Sequence, residues 1–305
     1  MSQNFIICVK DEIVRNLSVM TDKNTVFQQK YTLNVQGQLI DLSTPKVMGI
    51  LNLTPDSFYD GGRSNSLTSA LTKTEAMLKE GADFIDIGAY SSRPRAEDIS
   101  REEELARLTP ILKQLVKEFP EAIISIDTFR AAVAEAAVQE GAHIINDIGG
   151  GELDKEMFGT IGRLKVPYIL MHMKGTPQTM QENIHYDDVF LEVFGYLADR
   201  VHQLVALGVN DIILDPGFGF AKDSRHNYEL LSKLDQFNLL GHPVLAGVSR
   251  KGMIYKTLGT TPDEALNGTT VANTIALMKG VSILRVHDVK AAVEAVKIVG
   301  QVTGN

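Results

Sequence analysis

The sequence predicts an α/β fold, a (β/α)8 TIM barrel with an N-terminal β-hairpin. Eight short runs rich in β-branched and apolar residues recur after Lys46: Val47–Asn52, Phe84–Gly88, Ala122–Asp127, His143–Ile148, Val166–His172, Asp211–Asp215, Val244–Ser249 and Val281–Val286. Their apolar character is nearly continuous, as expected of parallel strands covered by helices. Amphipathic stretches separate them, and eight βα units over about 260 residues match the count and size of a closed barrel. A doubly wound open sheet is the competing arrangement, but no Gly-x-Gly-x-x-Gly follows the first run.

Residues 1–30 are mixed and polar without sustained periodicity, and read as a poorly ordered N-terminal extension. Tyr31 to Leu42 alternates apolar and polar residues on either side of Gln36-Gly37, which predicts a hairpin closed before Thr44-Pro45. Residues 31–305 are therefore expected to form one barrel domain that includes the hairpin. Ser100 and Glu103 make a capping box, and Leu105, Leu108, Ile111, Leu112, Leu115 and Val116 then mark one apolar helical face. Thr261-Pro262-Asp263-Glu264 predicts a second capped start, with Pro at the first helical position, where a missing N–H costs nothing. Gly81, Gly141, Gly208 and Gly280 each fall where a helix should end before the next strand.

Composition narrows the function. The 305 residues are 44% hydrophobic and 22% charged, which excludes a collagenous or low-complexity chain. Thirty Lys and Arg against 38 Asp and Glu leave a net charge of −8, so no basic field draws the chain to nucleic acid or an anionic membrane. Cys8 is the only cysteine, which excludes an internal disulfide framework and a multi-cysteine metal site. No apolar run approaches the roughly 20 residues of a membrane span. The apolar stretch Phe5 to Val9 is too short for a signal peptide and runs straight into Lys10, Asp11 and Glu12. The expectation is a cytoplasmic protein, and the net charge leaves room for an anionic small substrate, because a few local cations can decide a pocket.

In a barrel of this type, chemistry is carried by the C-terminal strand ends and the loops after them. Polar residues fall there repeatedly: Asn52, Asp86, Asp127-Thr128, Asn146-Asp147, His172, Asp215, Ser249-Arg250-Lys251 and Arg285-Val-His287-Asp288. One such residue is most simply a cap on the following helix. Eight converging on one mouth point to a site.

These residues carry a resemblance. Gly49-Ile-Leu-Asn52-Leu-Thr54-Pro-Asp56-Ser-Phe58, Ser125-Ile-Asp127-Thr128, Asn146-Asp147-Ile148, Met171-His172-Met173-Lys-Gly175-Thr-Pro177, Asp215-Pro-Gly-Phe-Gly-Phe220, Ser249-Arg-Lys251 and Arg285-Val-His287-Asp288 stand in order. From about Gly49 to Asp288 the chain resembles the dihydropteroate synthase family of pterin-binding barrels. The resemblance implies a transferase of folate biosynthesis. It would join the diphosphate ester of 6-hydroxymethyl-7,8-dihydropterin to p-aminobenzoate, releasing diphosphate.

A pterin edge offers an amide and an amino group, and Asp127, Asn146 and Asp215 are residue types that can pair with it. By resemblance they hold that edge, with Lys251 beside the ring. Arg285 and His287 alternate on one strand and so share a face, and Arg grips phosphate oxygens with a planar fork. The family places both on the diphosphate, with Ser92 nearby. It places p-aminobenzoate among Phe58, Asp60, Arg93, Pro94, Phe220 and Lys251, and Mg²⁺ on Asn52; Asp56 and Asp60, in the loop behind Asn52, are expected to assist indirectly. Asp127, Asp215, Lys251, Arg285 and His287 are the expected catalytic set. The amine of p-aminobenzoate is neutral at pH 7, so departure of diphosphate sets the barrier, and an electron-rich dihydropterin favours an SN1-like path.

Three positions depart from the family pattern: Arg95 where Gly is common, Ser92 where Thr is common, and Ala221 where Gly often stands. The first bears on the second loop and on sulfonamide affinity. His172, with Met171, Met173 and Met180, is read as packing rather than a metal patch. A pterin-binding methyltransferase would share Asp127, Asn146 and Asp215 but has no use for the Asp60 and Ser91–Pro94 loops. A non-catalytic pterin-binding paralogue would be expected to lose Asn52, Lys251, Arg285 or His287. The small, apolar stretch Thr269–Met278, with the family's habit of pairing through late helices, points to a homodimer.

Overall fold

Strand alternation divides each apolar run between two cores, one inside a ring and one outside it. The computed structural model describes residues 31–53, 63–91, 98–182 and 184–304, without the side chains of 63–66. The extension 1–30, the loop Thr54–Gly62 and residues Ser92–Arg95 lie outside the described residues. A two-stranded antiparallel hairpin, β1 (Thr32–Val35) and β2 (Gln38–Asp41), comes first, turning through Gln36 and Gly37 at positive φ. Eight parallel strands follow: β3 (Lys46–Asn52), β4 (Phe84–Gly88), β5 (Ile123–Asp127), β6 (Ile144–Asp147), β7 (Tyr168–Met171), β8 (Ile212–Asp215), β9 (Leu245–Ala246) and β10 (Ile283–Val286). Their spatial order runs from β8 back through β3 to β10 and β9. A parallel bridge between Leu214 and Val244 joins the two ends into a nearly closed barrel.

The expected seventh strand, Val244–Ser249, is reduced to Leu245–Ala246, because Lys251 N–H already bonds back to Val248 and the chain turns there. The fifth starts at Tyr168, after Pro167, which has no N–H for the ladder. Between strands lie α1 (Arg63–Lys79), α2 (Arg101–Glu118), α3 (Ala131–Gln139), α4 (Met157–Leu164), α5 (Val189–Ala206), α6 (Ser224–Ser232), α7 (Gly252–Leu258), α8 (Leu266–Met278) and α9 (Val289–Thr303). Ser100 caps α2 through the Glu103 N–H at 3.1 Å, while the Glu103 carboxylate turns to Arg107 instead of completing the box. Glu264 reaches back to Thr261 N–H as the second box requires, but i→i+3 bonds keep that segment a turn. Helical bonding starts with Thr269 N–H to Ala265, so α8 begins four residues after Pro262, at Leu266. Gly81, Gly141, Gly208 and Gly280 all sit at positive φ, as the helix-ending reading requires.

Ile85, Ile87, Ile124, Ile126, Leu170 and Leu214 point outward and pack under the helices. Met48, Phe84, Ile144, Ile169, Ile213, Leu245 and Ile283 point inward and form one apolar layer. Leu33, Val35 and Leu42 of the hairpin join that layer, so the hairpin plugs the N-terminal end of the barrel. Asn34 N–H bonds to the Asp211 carboxylate at 2.9 Å and fixes the plug at the start of β8. With a dry floor below, the next inward positions up each strand can be polar.

Candidate active site

Two residues above the floor, the inward positions are Asp86, Ser125, Asn146, Asp215 and Arg285. Three of them form one bonded group. Asp86 Oδ2 accepts from Arg285 Nε at 2.6 Å and from Asn146 Nδ2 at 3.0 Å, and Arg285 Nη2 donates to Asp127 Oδ2 at 2.8 Å. Asp86 is fully buried, and its Oδ1 has no hydrogen-bond partner among the described residues. The buried Ser125 hydroxyl beside it is likewise unpaired. Unsatisfied buried polar atoms usually mark a place where water, an ion or a ligand belongs.

Asp215 accepts from Gly217 N–H at 2.7 Å, and Lys251, which follows the neighbouring strand β9, is the charge that acts on it most. Lys251 Nζ donates to the Phe218 carbonyl and sits 4.7 Å from the centre of the Phe220 ring. Burial pulls the Lys251 ammonium down to about 8, against the pull of the Asp215 carboxylate. Burial raises Asp215, with the Lys251 charge opposing it. Burial also raises Asp127, Arg285 opposes, and the carboxylates of Asp86 and Glu104 add to the rise. Three carboxylates face one guanidinium, which the same carboxylates raise above its ordinary range although burial alone would lower it.

Nearer the mouth, Asn52 and Asp127 flank Gly88. A Cβ there would stand 3.6 Å from Asn52 Oδ1 and 3.7 Å from Asp127 Oδ2, so the absent side chain leaves an opening between two oxygens. His287 is exposed at the top of β10, and its N–H bonds to Ser249 Oγ at 3.2 Å. Ile148, Met171, Met173, Met180 and Ala221 form a small buried apolar cluster, with Phe220 and Phe129 against it. The methionines are thus packing, as expected.

The structure brings Asp127, Asn146, Asp215, Lys251, Arg285, Phe220 and Asn52 to one end of the barrel. Ser92, Arg93, Pro94, Phe58 and Asp60 lie outside the described residues. Asp147, adjacent in sequence to Asn146, points away. It accepts from Tyr168 OH at 2.5 Å, Gly149 N–H at 2.7 Å and Gly151 N–H at 2.8 Å, and burial lifts it to about 6.

Sequence reading passed over three groups. Asp86 stood among the polar strand ends but had no role. Glu104 is buried on α2, accepts from Thr128 at 2.7 Å and from Arg130, and Arg130 in turn donates to the Ile99 carbonyl just before α2. Lys222 is buried beneath the β8 loop. An acid among the polar residues that open a helix, and a lysine after a glycine-rich loop, look solvated in sequence.

Barrel, polar layer and mouth together define a pterin-binding enzyme: residues 48–287 match the model of that family, described as pterin binding enzyme, and the chain belongs to it. The dihydropteroate synthase of Escherichia coli (strain K12) is 45% identical over 273 residues, covering 88% of this chain and 95% of the relative. A solved Xanthomonas albilineans dihydropteroate synthase with 4-aminobenzoic acid superposes with a TM-score of 0.84 at 38% identity, covering 90% of this chain and 99% of that one. Another from the same organism, in complex with 7,8-dihydropteroate, superposes with a TM-score of 0.80 at 37% identity, again covering 90% and 99%.

Proposed function

We propose that the chain condenses (7,8-dihydropterin-6-yl)methyl diphosphate with p-aminobenzoate to give 7,8-dihydropteroate and diphosphate. The observation that carries this reading is the bonded group of Asp86, Asn146, Arg285 and Asp127 set directly above a dry floor, with Asp215 and Lys251 facing it. Asp127, Asn146 and Asp215 pair with the pterin edge, and the Ile148–Met171–Met173 cluster offers an apolar face to the flat ring. Lys251 lies against the ring and Phe220 against p-aminobenzoate. Arg285, His287 and Ser92 take the diphosphate, while Phe58, Asp60, Arg93 and Pro94 close the second-substrate site.

In the reaction, the methylene C–O bond breaks first and its electron pair leaves with diphosphate. The dihydropterin nitrogens share the resulting positive charge, and the carboxylates of Asp127 and Asp215 lower its energy. The neutral amine then adds to the methylene carbon and loses a proton to solvent or diphosphate. The opening at Gly88 fits Mg²⁺: Asn52 Oδ1 is a hard oxygen donor, and this ion is usually held by one or two protein oxygens together with phosphate and water. Among the described residues no group of three acidic, His or Cys side chains is placed to hold a metal alone. Asn52 would hold the ion, which when bound supplies positive charge to the leaving diphosphate.

Calorimetry with a pterin tests the site. Asn146→Ala and Asp215→Asn should each weaken binding about tenfold or more, the scale of losing one buried hydrogen-bond partner. Unchanged affinity in both would reject the pterin assignment.

A homodimer and a cytoplasmic setting belong to the same proposal. Val271, Ile275 and Met278 on α8 and Ile298 and Val302 on α9 are large, apolar and exposed on helices that pack together. They supply the apolar face a second copy would cover. A monomeric mass by light scattering at micromolar concentration would reject it. No described helix is long and apolar enough to cross a membrane.

A further inference from the structure

We propose that Lys222 is a positioning residue whose buried ammonium, caged by the loop after β8, holds that loop in the shape that presents Asp215 and the Phe218 carbonyl to the site. The inference rests on reading Asp215 and Lys251 as substrate contacts.

Lys222 is 3% exposed. Among the described residues its Nζ is ringed by three carbonyl acceptors, those of Gly217 and Phe220 at 3.0 Å each and of His172 at 3.3 Å, and by His172 Nδ1 at 2.9 Å. Burial and the charges of Lys251 and Lys174 push the Lys222 ammonium well below its usual range, with the Asp215 carboxylate opposing. Three carbonyls, which can only accept, match the three protons of an ammonium, and with the cation in place Nδ1 accepts too. The cage also fixes the imidazole. With Nδ1 accepting, His172 is neutral and carries its proton on Nε2; burial and the Lys222 charge both hold it in that form, down to about 2. His172 is in turn wedged against Tyr196, with ring centres 4.7 Å apart and nearly perpendicular.

The backbone around the cation is unusual. Gly217, Gly219 and Ala221 all adopt positive φ, at 73°, 81° and 51°. Ala221 does so without glycine's freedom, at a cost of about 1–2 kcal/mol that surrounding contacts must offset. A Cβ on Gly217 would come within 2.0 Å of the His172 carbonyl, so the end of β7 and the β8 loop are pressed together around Nζ. The loop folds inward because its carbonyls converge on a cation, as a peptide wraps a metal ion. Everything the loop gives the site hangs on that shape. Gly217 N–H bonds to Asp215, the Phe218 carbonyl receives Lys251, and Phe220 lies beneath the Lys251 ammonium. Asn227 pins the far side, accepting from Gly219 N–H at 2.7 Å and donating to the Lys222 carbonyl at 3.2 Å. Among the described residues Lys222 Nζ makes no hydrogen bond to the pterin-facing groups. It acts through the backbone it gathers, and its charge reaches Asp215 as well.

Chemical rescue tests this. Lys222→Ala should lose at least tenfold in pterin affinity by calorimetry, without diphosphate present. Ammonium or methylammonium should restore both the affinity and the melting temperature saturably, while tetramethylammonium, of equal charge but with no N–H, should restore neither. Wild-type affinity in folded Lys222→Ala, or equal recovery with tetramethylammonium, would overturn the proposal. Should that variant not fold even with methylammonium, wild-type protein with ¹⁵N-labelled lysine decides. A slowly exchanging Lys222 ammonium signal at pH 7 that shifts when pterin binds is expected; a signal that is absent or indifferent to pterin would overturn the assignment. Wild-type protein that binds no pterin would instead reject the proposed function.

Discussion

Replacing Arg285 by Ala separates the guanidinium's two duties. In the folded protein it neutralises Asp86 and Asp127, through bonds of 2.6 and 2.8 Å. Removing it leaves Asp86, fully buried and already missing a partner on Oδ1, with Asn146 alone among the described residues to donate to it. Breaking a buried ion pair from one side costs about 3–5 kcal/mol. At about 2 °C per kcal/mol for a chain of this size, the melting temperature should fall by roughly 6–10 °C. Turnover should fall by roughly 10²-fold or more, the scale of losing one preorganised charged donor at a departing anion. Lys at this position should restore only part of the rate, because a point charge cannot reproduce the fork. Adding Asp86→Asn removes the stranded charge, so the double variant should recover about 1–3 kcal/mol of stability while its rate stays low. Thermal denaturation and steady-state kinetics on the two single variants and the double variant measure both effects. Wild-type turnover in Arg285→Ala would mean the guanidinium does not hold the leaving anion, and strictly additive stabilities would mean it does not offset the Asp86 charge.

Lys251 should impose a pH dependence, since burial lowers its ammonium to about 8. Pterin affinity should weaken as pH rises through that value, and Lys251→Met should abolish the limb. Stability should move the other way, rising between about 8 and the unfolded value near 10.4, because there the unfolded chain binds the extra proton. Tyr168→Phe should cost about 1–3 kcal/mol by denaturation, because it strips the buried Asp147 Oδ2 of its 2.5 Å hydroxyl donor, yet leave kcat unchanged since Asp147 faces away from the site. A p-aminobenzoate analogue such as a sulfonamide should bind at least about tenfold tighter once diphosphate, Mg²⁺ and a pterin are present, a coupling of roughly 1.4 kcal/mol. Equal affinity with and without them in calorimetry would mean the second site is preformed.

The barrel was legible because each inward and outward alternation is written in residues such as Phe84-Ile85-Asp86-Ile87-Gly88, where apolar pairs flank a lone acid. Strand ends were less so. Val244–Ser249 has strand composition throughout, but the ladder stops at Ala246 and the backbone turns at Val248 to place Lys251, a tertiary demand with no local signal. The pterin-edge residues could be read from their types and motif order. Their mutual bonding could not, since Asp86, Asn146 and Arg285 meet across a ring, 60 and 199 residues apart. Lys222 escaped for a similar reason. Nothing in its neighbours along the chain shows that four acceptors from two loops will surround it.

The product of the reaction decides the proposed condensation. Wild-type protein incubated with the dihydropterin diphosphate, p-aminobenzoate and Mg²⁺ should yield dihydropteroate and diphosphate in equal amounts, identified by mass and by diphosphate assay. Arg285→Ala should also slow both products in step, because one bond cleavage releases the anion and the electrophile together. Diphosphate without dihydropteroate, or no product from folded protein that binds both substrates, would contradict it.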